Sequence, residues 1–114
     1  MRWVLFSAIV VAIVIVPADP FNVHAASRAD VDRLTSYAVI LGRAIGCGID
    51  TQKASLQIGK WMDKRFPPGS KDQQTYLPVF IEGVKYHAEQ QRAGRSPDSC
   101  SQVQRSISKM KWDG

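Results

Sequence analysis

Residues 27–48 read SRADVDRLTSYAVILGRAIGCG, and the spacing of their apolar side chains decides the fold. Val31, Leu34, Ala38, Leu41 and Ile45 recur at the three- and four-residue intervals of one helix face. Ser27 stands where an N-cap belongs, and Asp30 places an acid in the first turn, near the positive end of the helix dipole. Val39 and Ile40 add apolar surface on other sides, so this helix is expected at the centre of the molecule. Tyr37 to Leu41 also suits a buried strand, but the length and the longer pattern favour a helix. Gly42 inside it costs about 1 kcal/mol relative to alanine, which close backbone packing would explain. Gly46 or Gly48 can supply the C-terminal cap.

Three more helices follow. Asp50 or Thr51 opens the second, and Ala54, Ile58, Trp61 and Met62 share one of its faces. Phe66-Pro67-Pro68-Gly69 stops it. Ser70 to Gln73 has capping-box spacing. Pro78 then predicts either a short turn before Tyr76 with a new helix around Leu77, or one kinked helix. Leu77, Phe80, Ile81, Val84 and Ala88 form its expected inner stripe, and Gly94 is the stop. Ser96-Pro97-Asp98 reads as the start of the fourth helix, with Cys100, Val103, Ile107 and Met110 facing inward. The expected class is all-α, a small bundle of about four helices.

Upstream, Met1-Arg2 precedes fourteen uncharged residues, Trp3 to Val16, and Pro17, Asp19 and Pro20 end that run. Val23-His24-Ala25 then offers small side chains before a cut. This is the pattern of a secretory signal peptide, with cleavage expected after Ala25, or nearly as well after Ala26. As a helix the run spans roughly 21 Å, short of a hydrocarbon core of about 30 Å. The chain thus divides into a leader, 1–25, and a single helical domain, 26–114, with no later membrane span expected. Loss of the leader removes one cation and one acid, so the formal charge of +5 is retained. The expected location is periplasmic or secreted.

Export gives Cys47 and Cys100 their meaning. In an oxidising compartment a lone pair of cysteines forms a disulfide. The bond would tie the end of the first helix to the start of the last. Closing that loop stabilises a small core by about 4 kcal/mol on chain-entropy grounds. No C-x-x-C motif marks a redox pair, and two cysteines exclude a four-cysteine zinc or iron–sulfur site.

Little else points to chemistry. No Gly-rich phosphate loop, G-x-S-x-G or H-E-x-x-H is present. His87 is the only histidine of the expected mature chain and has no carboxylate at helical spacing, so it reads as a boundary residue of the core. No catalytic residue, cofactor or metal site is assigned. The basic residues offer the one lead. Arg105, Lys109 and Trp112, at i, i+4 and i+7, are expected on an outer face of the fourth helix. Trp61 and Arg65 combine aromatic and basic character at the end of the second. The basic residues suit an acidic envelope or secreted protein partner, or another anionic surface. Leu56, Val79 and Tyr86 fall away from the main stripes and offer a dimer face. Nucleic acid is a poor partner for an exported chain.

In size, helix content and cysteine count, the plan resembles two groups of small exported helical proteins. These are the HdeA-type acid chaperones and the periplasmic immunity proteins of type VI secretion effectors. The first resemblance implies a stress holdase and the second a dedicated protein partner. Binding is therefore the expected activity, with a holdase and then a small envelope hydrolase as alternatives.

Overall fold

The computed structural model describes residues 26–112, and the expected leader lies outside them. Four helices make up the fold: α1, Arg28–Gly46; α2, Gln52–Arg65; α3, Lys71–Arg92; and α4, Cys100–Lys109. No strand occurs among the described residues. The all-α bundle read from the apolar repeat is the observed one.

Local chemistry sets the ends of α1. The Asp30 N–H donates to Ser27 Oγ at 3.0 Å, so the expected cap forms. At the other end, the Ile49 N–H donates to the Ala44 carbonyl and the Gly48 N–H to that of Ile45. This Schellman closure requires a left-handed residue, and Gly48 supplies it at φ 74°. Helix α3 ends in the same way, with Arg95 and Gly94 donating to Gln90 and Gln91.

Helix α1 is the hub, and the other three pack against it. Ala38 faces Gly83, Gly42 faces Val84 and His87, and Gly46 faces Ala88 and Gln91. Positions on the two helices rise together, so α1 and α3 run parallel. Arg65, at the end of α2, pairs with Asp30 at the start of α1, so α2 runs antiparallel to α1. The disulfide Cys47–Cys100 joins the end of α1 to the start of α4, with the Cα atoms 5.6 Å apart. Helix α4 then returns along α1, until Trp112 reaches Tyr37. The result is an up-down-up-down bundle stapled at one end.

The core lies between α1 and α2. Leu34, Tyr37 and Leu41 meet Ala54, Ile58, Trp61, Met62 and Phe66, and Phe80 closes it from α3. A chain of aromatic rings runs Trp112–Tyr37–Trp61–Phe66–Tyr76, with neighbouring centroids 5.0–5.7 Å apart. Such tilted and edge-on pairs contribute about 0.5–1.5 kcal/mol each beyond area burial.

Of the two courses that Pro78 leaves open, the single helix is observed, and Pro78 lies inside a continuous α3. Two local readings are corrected. The inner stripe of α3 is partly displaced: Phe80 and Ala88 are buried and Val84 packs against the core, whereas Leu77 and Ile81 are exposed. And α4 starts three residues after the expected Ser96 cap. Ser99 and Gln102 form a reciprocal capping box, while the Asp98 carboxylate turns away to pair with Arg43.

Candidate binding surfaces

The expected site residues separate in space. Trp61, read both on the apolar face of α2 and in an aromatic–basic patch, is 1% exposed. The inward stripe of α2 takes it into the aromatic chain, edge-on to both Tyr37 and Phe66. Trp112 is corrected as well. It lies beyond the end of α4, so helical spacing no longer governs its direction, and it is half-buried against the core. Arg105, Lys109 and Arg65 are exposed. Arg65 is engaged with Asp30 at 3.3 Å. Leu56, Val79 and Tyr86 lie on the surface, as their spacing predicts.

With the tryptophans turned inward, the remaining surface is cationic. The described residues form three ion pairs: Arg43–Asp98, Arg65–Asp30 and Lys85–Glu82. Lys53, Lys60 and Lys64 recur at i, i+7 and i+11, which places them on one flank of α2. Lys53 lines an open cleft of about 260 Å³ between α2 and α4, with Asp50, Gln104, Ser108 and Trp112 among its other walls. The Lys53 end of that flank therefore borders α4. Arg105 and Lys109 lie on the far side of α4 from buried Val103, and Lys111 follows in the exposed tail. Lys53, Lys60 and Lys64 thus run along the length of α2, and Arg105, Lys109 and Lys111 add exposed cations on α4 and its tail.

A second cleft, of about 160 Å³, shares no lining residue with the first. Arg43, Tyr86, His87, Gln90, Arg95, Ser96 and Pro97 line it. Arg43 Nη1 donates to Asp98 Oδ2 at 2.9 Å, but its Nε is buried with no hydrogen-bond partner among the described residues. Arg95 Nε donates to Gln90 Oε1 at 3.3 Å. The Tyr86 ring stands edge-on to that of His87 at 5.0 Å. Partial burial, reinforced by the Arg43 charge, lowers the His87 pKa below its ordinary value of 6.5. Sequence reading missed this cleft, because α1, α3 and the loop before α4 each contribute only isolated polar residues to it.

Among the described residues, no cluster of three His, Cys, Asp or Glu side chains is placed to hold a metal ion. No helix there is long and apolar enough to cross a membrane. Compared with known proteins, the chain matches no family model, no curated protein and no solved structure.

Proposed function

We propose that this protein is an exported binding module for an acidic envelope or secreted protein, engaged through the exposed cations of α2 and α4. The single observation that carries the reading is the unpaired positive charge there. Lys53, Lys60, Lys64, Arg105, Lys109 and Lys111 form no ion pair among the described residues. Cations left without internal partners favour encounter with an acidic surface and set its orientation. The sequence pattern of residues 1–25 and the Cys47–Cys100 bond support an oxidising location. The staple and the buried aromatic chain hold α2 and α4 rigid, which lowers the entropy lost on binding.

The test is crosslinked capture from the native envelope with the tagged protein, followed by affinity measurement on the purified pair. One stoichiometric acidic partner is expected, with an association rate that falls steeply as salt rises. Two variants, Lys53→Glu/Lys60→Glu/Lys64→Glu and Arg105→Glu/Lys109→Glu, should each weaken the complex while leaving the circular dichroism spectrum unchanged. A partner bound equally well by both variants would remove this surface. Capture of many unrelated clients after acid stress would replace the reading with a holdase.

A further inference from the structure

The geometry points to a second binding site, in the cleft between α1, α3 and the loop before α4, that takes the carboxylate of a small monoanionic acid. Arg43 supplies guanidinium donors from α1 and Arg95 from the loop after α3, Gln90 and Ser96 supply neutral polar groups, and Tyr86 and Pro97 give an apolar flank.

Charge balance selects the ligand class. Arg43 and Arg95 bring two positive charges and Asp98, paired with Arg43, brings one negative charge. His87 is neutral at pH 7, because burial and the neighbouring Arg43 both disfavour its cation. The cleft therefore carries a net charge of one, which a single carboxylate neutralises and a phosphate dianion overcompensates. A planar carboxylate suits the guanidinium fork. The volume of about 160 Å³ limits the ligand to a small acid or the end of a chain. The site shares no residue with the exposed cations of α2 and α4, so either proposal can fail without the other.

Binding is read by titrating propionate, benzoate, inorganic phosphate and chloride, at constant ionic strength, into the purified protein while following the His87 ring resonances. A tripeptide with a free C-terminus, and its amidated form, test whether the carboxylate can arrive on a chain. A saturable shift is expected with at least one carboxylate, at about millimolar Kd for so small a ligand. The carboxylate should also raise the His87 pKa, since an added anion offsets the charge of Arg43. Tyr86, Gln90, Arg43, Arg95 and Asp98 are the polar or charged groups around that ring, and none of them adds a competing negative charge except Asp98, already paired.

Arg95→Gln keeps the Arg43–Asp98 pair and should weaken binding about tenfold, the scale of one charge-assisted hydrogen bond. Arg43→Lys, which loses the fork, should weaken it further. Saturation by propionate or benzoate identifies a free acid, and saturation by the unamidated tripeptide alone identifies a chain terminus. No saturable shift with any carboxylate, tighter binding of phosphate, or unchanged affinity in Arg95→Gln overturns the proposal.

Discussion

Helix α1 is packed in two different ways on its two sides. Toward α3 it presents Ala38, Gly42 and Gly46, and the helices meet almost backbone to backbone. A Cβ built on Gly42 would lie 2.5 Å from the Val84 carbonyl oxygen, and one on Gly46 would lie 2.6 Å from that of Ala88. Toward α2 and the C-terminal tail it presents Leu34, Tyr37 and Leu41, which pack through large side chains and aromatic edges. The first seam is held by closeness and the second by bulk. Enlarging a residue should therefore damage one, and truncating a residue should damage the other.

Trp61→Ala is the largest expected break. It empties the middle of the aromatic chain and should lower the unfolding free energy by about 3–5 kcal/mol in urea titration. Trp61→Phe sharpens the point. Trp61 Nε1 is buried with no partner among the described residues, a condition that costs about 1–3 kcal/mol. Removing that donor offsets part of the lost volume, so Trp61→Phe should cost much less than Trp61→Ala. Equal losses in the two variants would mean that the ring volume phenylalanine keeps contributes nothing, and that bulk does not hold this side.

Gly42→Ala probes the other seam and should cost about 1–3 kcal/mol through overpacking, despite the higher helix propensity of alanine. The obstructing atom is a backbone oxygen, so the helices must move apart to accept the methyl group. Gly59→Ala is the control, because a Cβ there meets nothing within 4 Å. On an exposed helix surface it should stabilise by a few tenths to about 1 kcal/mol. If Gly42→Ala behaves like Gly59→Ala, the close seam is not what holds α3.

The same contrast governs what the sequence makes legible. The aromatic side announces itself: Leu34, Leu41, Ala54, Ile58, Trp61 and Met62 occur at helical period, and all are buried. The glycine side is quiet, because a hydrophobic repeat does not register contacts made by Gly83, by the Cβ of His87 or by Gln91. That is why the expected inner stripe of α3 includes Leu77 and Ile81, which are exposed, beside Phe80, Val84 and Ala88, which face the core. The site residues follow a similar logic. Basic residues with no internal partner, such as Arg105 and Lys109, were placed outside from sequence alone. Trp61 satisfied both a core stripe and an aromatic–basic patch, and burial of its large apolar surface decides for the core. Trp112 misled because its register was carried past the end of α4, where the chain leaves helical geometry at Met110.

His87 offers the mildest and only reversible test of the comparison, since its Cβ sits at the Gly42 contact while its ring lines the cleft beside Arg43. Its folded pKa is lowered, so the unfolded chain binds the proton more readily. Stability should therefore rise with pH through the window from the folded pKa up to about 6.5 and level off above it. Below that window the protonated ring meets the Arg43 charge across the close seam. The effect is small, because the ring is only partly buried. It should appear first as faster amide exchange along the contact from Ala38 to Gly46, with Trp61 and its neighbours still protected. His87→Gln should flatten that local dependence. Equal loosening of both sides of α1 on acidification would show that the two packing modes respond as one unit, and the distinction drawn from their geometry would fail.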